Sequence, residues 1–281
     1  MSAEASAVPV RRSPGGRERT AARYGLRFAA LGYLGLLLAL PVGLVFWRTF
    51  GEGIGAVFAS VTTPEAQHAF YLTLVMVAFA VPANTLFGVV CAIALVRYEF
   101  KGKSLLNASI DLAFAVSPVV IGLSLILIYG RTGAIGEWLT ENGLRVIFAP
   151  PGMVLACIFV SLPFVVREVV PVLREIGTDQ EQAASTLGAS TWQTFWRVTL
   201  PAIRWGVAYG VVLTTARVLG EFGAISVVSG KLSGRTETLT LRVEERFQTF
   251  DLVGAYSASV VLALLALATL LAMNLMKRKE S

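Results

Sequence analysis

From residue 26 to residue 277 the chain alternates between long apolar runs and short polar connections. Six runs reach the ~20 helical residues that the hydrocarbon core of a bilayer demands: 26–47, 69–96, 105–129, 151–173, 205–229 and 252–276. The pattern predicts an all-α polytopic membrane protein, because each helix satisfies its own backbone hydrogen bonds where no water is present. Polar residues mark particular places within the runs. Pro41 lies in the first, Pro82 and Asn84 in the second, and Ser117-Pro118 in the third. Pro163, Arg167, Glu168 and Pro171 interrupt the fourth, so its charged end is expected to leave the apolar layer. Arg217 and Glu221 sit within the fifth, and the sixth is free of charge until its end.

One connection differs from the rest. Residues 181–201 read EQAASTLGASTWQTFWRVTLP. Ala183, Ala184 and Leu187 fall at i, i+1 and i+4 and form a small apolar ridge that another backbone can approach closely. Gly188 permits a left-handed turn. Ser190 or Thr191 offers an N-cap for a second helix. Phe195, Val198 and Leu200 would form its apolar face, and Pro201 would close the unit. On spacing alone, an amphipathic loop helix packed on its own protein fits equally well.

Composition agrees with the spans. The chain is 55% hydrophobic and 15% charged, against roughly 25% charged for a soluble domain. The formal charge of +6 does not point to nucleic acid, because the basic residues cluster at the ends of apolar runs. Cys91 and Cys157 lie within such runs and read as small buried hydrophobes. His68 is the one histidine, which leaves little material for a histidine-based catalytic or metal site. Residues 1–25, with Arg11, Arg12, Arg17, Arg19 and Arg23 among Pro and Gly, read as a disordered basic tail. The run that follows exceeds a signal-peptide core and reads as a retained helix.

Basic residues also orient the chain. The arginine-rich tail, Arg97/Lys101/Lys103, Arg167/Arg174/Arg197/Arg204 and 277–279 fall on one side of a six-span arrangement. Arg48, Arg131, Arg145, Lys231, Arg235, Arg242 and Arg246 fall on the other. The first set is about twice the second, which places both termini and segment 178–201 in the cytoplasm. The external connections 52–68, 131–150 and 230–251 are short, and the last has room for a helix on the outer face.

Nucleotide chemistry is not built into the chain. A phosphate-binding loop needs G-x-x-x-x-G-K-[ST]. Gly102-Lys103-Ser104 mimics its end, but Arg97 stands where the first glycine is required, and Gly102 reads as a turn. No Ser-His-Asp order, HExxH or paired-carboxylate site is evident. Charge at membrane depth is costly and usually functional or paired. Arg217 and Glu221 are four apart, hence on one helix face, and read as either a pathway gate or a structural ion pair. Ser117 is a weaker pathway candidate, as are Pro118, Asp111 and Asn84. Gly206-x-x-x-Gly210 suits close helix packing.

The order Ala183-Ala184, Gly188, Val198-x-Leu200-Pro201 resembles the cytoplasmic coupling loop of ATP-binding-cassette importer permeases. DLAFAVSPVVIGL (111–123), PFVVREVVPV (163–172), LGASTWQTFWRVTLPAIRW (187–205) and TTARVLGEFGAISVVSG (214–230) resemble the sulfate/thiosulfate permeases of bacterial importers, W-type subunit, and the likeness runs from about 26 to 276. The resemblance implies a type I importer permease (MetI-like) core over 26–277. It implies that Glu181, Gln182, Ala183, Ala184, Leu187, Gly188, Leu200 and Pro201 dock a separate ATPase. It further implies a homologous sister permease, a heterodimeric pair, a periplasmic sulfate-binding protein and an inner-membrane location amid lipid. No cofactor or catalytic residue belongs to the chain itself, since the partner binds ATP. The family's glutamate aligns with Gln182, whereas the carboxylate here sits one place earlier, at Glu181. A molybdate permease and the sister T-type sulfate permease are the near alternatives. An ion-coupled secondary transporter or a membrane scaffold would have no need of 181–201.

Overall fold

The structure is a computed structural model that describes residues 16–51 and 53–278. The chain divides into two units, 1–48 and 49–281. The first contains most of helix α1 (Gly16–Gly51). Its portion Tyr24–Gly51 is long and apolar enough to cross a membrane, and large side chains such as Phe28 and Trp47 are exposed, as lipid-facing residues would be. The disordered tail expected over 1–25 lies, for residues 1–15, outside the described part. From Gly16 the chain is already helical, because Arg, Glu and Ala in GRERTAAR are good helix formers that extend the apolar helix backwards.

The second unit holds α2 (Ile54–Val61), α3 (Pro64–Arg97), α4 (Lys103–Ala115), α5 (Pro118–Tyr129), α6 (Gly136–Glu141) and α7 (Pro150–Ile176). Then come α8 (Asp179–Thr186), α9 (Thr191–Thr194), a π turn (Phe195–Thr199), α10 (Leu200–Leu219), α11 (Gly223–Val228), α12 (Leu239–Gln248) and α13 (Leu252–Arg278). Proline stands in the first turn of α3, α5, α7 and α10; its φ is already helical, and in α3, α5 and α7 its missing N–H had no partner to lose. Thr63 completes the start of α3 by accepting from the Ala66 N–H at 3.2 Å.

Three helices form the centre. α3 and α7 run parallel, because Asn84 bonds Ser161 at 2.8 Å and, farther along both, Arg97 bonds the Leu173 carbonyl at 3.1 Å. α10 runs antiparallel to α7. A Cβ on Gly210 would lie 2.8 Å from the Val165 Cα, and one on Gly206 would lie 3.0 Å from the Glu168 carbonyl oxygen, so both glycines of the predicted packing pair do face α7. Val89, Ala92, Leu95, Val165, Val169, Leu173 and Ile203 fill the core between these helices. The α3 and α7 prolines leave both helices unbroken, so the expected interruption of the fourth run does not occur.

Six spans are not confirmed. Among the described residues, four helices are long and apolar enough to cross a membrane, or five if α4 and α5 count as one span. The third predicted run breaks at Val116-Ser117, and its halves meet at 112°. Pro118 is the cause, since it disfavours helix at the residue before it and has no N–H to continue the ladder. The fifth run breaks as well. α10 starts earlier than expected and ends at Leu219, the chain bends through Gly220–Phe222, and the short α11 follows. The helix expected within 230–251 is α12.

Candidate functional site

The segment singled out by its sequence forms a helix–turn–helix at one end of the core. α8 is an eight-residue helix with no buried side chain. Gly188 ends it at φ +85°. The Ala189 N–H bonds the Ala184 carbonyl at 3.0 Å and the Gly188 N–H bonds the Ser185 carbonyl at 3.0 Å, the paired closure that a left-handed glycine permits. Ser190, not Thr191, caps α9: its hydroxyl accepts from the Gln193 N–H at 3.4 Å while the Gln193 side chain accepts from the Ser190 N–H at 3.0 Å. Both bonds together make a capping box. Ala183 is exposed, Ala184 half-buried, and Leu187 is 89% exposed. The ridge therefore faces outward rather than packing on its own protein.

Pro201 does not close the unit. It lies in the first turn of α10, and the helix runs on from α9 through the π turn into α10. The wider turn, in which the Leu200 N–H reaches back to the Phe195 carbonyl, accommodates the proline ring that would otherwise press on the carbonyl four residues before it. Leu200 is half-buried beside it.

The carboxylate is placed where the resemblance left it in question. Glu181 pairs with Arg97, whose Nε lies 2.9 Å from Oε2, and its Oε1 accepts from Thr199 at 2.8 Å. Arg97 also donates to the carbonyls of Leu173 and Gly177, at 3.1 and 2.6 Å. Arg97, Glu181 and Thr199 line a cleft of about 580 Å³ that reaches Ser185 and Trp192. Gln182 is exposed, and its side chain donates to the Thr178 hydroxyl at 3.0 Å. Sequence reasoning missed Arg97 and Thr199 as members of this site. It also missed the cluster of Trp192, Phe195 and Trp196, with ring centroids 5.3 to 6.0 Å apart. Their i, i+3, i+4 spacing was a signal, and two exposed tryptophans at a span end suit a membrane–water interface.

A second constellation lies where the two broken runs meet. A Cβ on Gly223 would lie 2.9 Å from the Pro118 Cβ, so α11 packs directly on the start of α5. Arg217 Nη1 lies 2.8 Å from Glu221 Oε2, with the carboxylate buried and the guanidinium about a third exposed. Glu221 Oε1 also accepts from the Ala224 N–H at 2.8 Å. The predicted pair exists, but Glu221 sits in the bend after α10 rather than on a continuous helix. Ser117, at the other break, is exposed and makes no capping bond. Asn84 is buried against α7, and Arg167 pairs with Asp111 between α7 and α4; both are helix-to-helix contacts.

The sequence itself matches a family of known proteins. The model of binding-protein-dependent transport system inner membrane components matches residues 84–280. The chain belongs to that family. It is 52% identical over 250 residues to the sulfate transport system permease protein CysW of Synechococcus elongatus, covering 89% of this chain and 87% of that one. It is 48% identical over 257 residues to the protein of the same name from Synechocystis, covering 92% and 93%. The resemblance to W-type sulfate permeases thus extends over most of the chain. Among solved structures, a bacterial alginate ABC transporter in complex with an alginate pentasaccharide-bound periplasmic protein matches at a TM-score of 0.79 and 17% identity, over 93% of this chain and 96% of that one. The importer-permease fold is therefore shared with proteins of very different sequence. As a family member the chain is an inner-membrane transport component.

Proposed function

We propose that this permease carries sulfate or thiosulfate across a bacterial inner membrane, driven by ATP hydrolysis on a separate subunit. The observation that carries the coupling part is α8. It is a helix with small residues outward, closed by a left-handed glycine and tied to the core by one carboxylate, which suits a piece that docks into another protein and moves with it. Ala183, Ala184 and Leu187 form the docking ridge, with Gln182 on the exposed face. Glu181 faces the core, and Leu200 and Pro201 begin the helix that receives the movement. The sulfate assignment rests on the relatives, and the high coverage on both sides favours the same cargo.

A homologous sister permease would complete the pathway, a periplasmic sulfate-binding protein would deliver the anion, and both termini would face the cytoplasm. The bends at Ser117 and Glu221 supply non-helical backbone of the kind tolerated at membrane depth only against protein or water. Arg217, partly exposed beside them, is the pathway candidate. ATP binding shifts the permease only if the ATPase binds its two states with different affinity. The test is uptake of labelled sulfate by a deletion strain carrying this chain and its partners, with unlabelled thiosulfate and molybdate as competitors. Sulfate uptake blocked by thiosulfate and spared by molybdate is expected. Uptake of molybdate in preference would overturn the cargo, and uptake without the ATPase would overturn the mechanism.

A further inference from the structure

The geometry points to Arg97 as a positioning residue that fastens the coupling helix α8 to the ends of three core helices, so that its movement reaches them instead of being lost at its glycine ends. The inference rests on the coupling reading above. α8 has no buried side chain, and a helix of eight residues has little stability of its own. It leaves α7 through Gly177 at φ 63°, ψ −158°, a conformation that only glycine adopts readily, and it ends at Gly188, also at positive φ. Pushed from outside, such a helix would turn about both glycines and leave the spans where they were.

One side chain prevents this. Among the described residues, Glu181 is the α8 side chain that bonds or pairs beyond the segment itself, and both of its partners stand at the ends of core helices. Thr199 belongs to the π turn that opens α10. Arg97 is the last residue of α3, and its side chain is 11% exposed. The same guanidinium holds the Leu173 and Gly177 carbonyls at the end of α7. The Leu173 carbonyl is among the last four of α7, which have no partner within the helix, and Gly177 is the residue that follows it. Arg97 therefore joins α3, α7, α8 and, through Glu181, α10. A planar fork with several donors does this in one residue; a lysine ammonium cannot reach all the acceptors at once.

The test reconstitutes the complete importer in proteoliposomes and measures sulfate uptake and ATP hydrolysis in the same vesicles. Arg97→Gln is expected to retain the ATPase and its hydrolysis but to lose uptake by about tenfold, so that ATP used per sulfate rises about tenfold, within the range of measured coupling between sites. Arg97→Lys and Glu181→Gln keep part of the network and should lie between Arg97→Gln and wild type; they carry the test if Arg97→Gln fails to insert. A merely structural role would lower uptake and hydrolysis together, in proportion to permease abundance, and would leave ATP per sulfate unchanged. That result, or wild-type uptake in Arg97→Gln, overturns the inference. Ala184→Asp separates this from the coupling reading: it should detach the ATPase. If it leaves co-purification and uptake intact, the coupling reading itself falls and the inference with it.

Discussion

At Gly188 the backbone sits at φ +85°, with open space around the position where a Cβ would stand. The objection to a side chain there is conformational, not steric. Gly188→Val should cost about 1–2 kcal/mol at that turn, misdirect α9, and abolish uptake while the protein still reaches the membrane. Immunoblots of membranes alongside uptake check this, and normal uptake would count against the turn. The Arg217–Glu221 pair invites a cycle. Stranding either partner at a buried site typically costs about 3–5 kcal/mol, so Arg217→Gln and Glu221→Gln should each reduce membrane abundance or uptake. The double variant should recover part of the loss, because neither charge is then left alone. A double variant no better than the worse single, at normal abundance throughout, would instead favour an anion-attracting role for Arg217. Residues in local sequence patterns were legible in advance: the turn at Gly188, a cap at Ser190 or Thr191, and the i, i+4 pair. The partners of Glu181 were not, because Arg97 is 84 positions away and nothing in either neighbourhood encodes the meeting.

Among elements, the apolar runs read correctly as helices, but their continuity did not. Hydropathy is blind to a 112° bend at Ser117-Pro118, since the residues on both sides remain apolar. The fifth run misled in the same way: Gly220 and Gly223 frame the bend before α11, and Gly223 also lets α11 pack on Pro118. Prolines in first turns look the same in sequence as prolines inside a helix, which is why Pro201 read as an end and proved a beginning. The π turn beside it suggests a direct experiment. Pro201→Ala supplies an N–H that can bond Arg197, and closing the turn to α geometry would rotate α9 by about 100° relative to α10. The docking ridge would then face another way. Loss of ATPase co-purification with the permease still in the membrane is expected. Unchanged co-purification and uptake would show that the π turn has no part in aiming the ridge.

For the whole molecule, the balance of basic residues predicts which ends face the cytoplasm, and it can be checked residue by residue. Single cysteines in a background lacking Cys91 and Cys157, placed at Lys103 and Thr191, should react with an impermeant thiol reagent only from the cytoplasmic side. Those at Asn142 and Ser233 should react only from outside. Labelling of Thr191 from outside would put α8 and α9 beyond the reach of ATP. The way the central helices touch has a mechanical consequence. At one level Val165 of α7 lies directly against Gly88 of α3 and Gly210 of α10, with no long side chain between the helices there. Sliding either helix along α7 would drive backbone atoms into a β-branched side chain. The trio is thus stiff in shear. A push on its α8 end would then have little chance to dissipate as slippage, and would reach the far end, near α11 and the bend at Glu221, as a turn of the whole block.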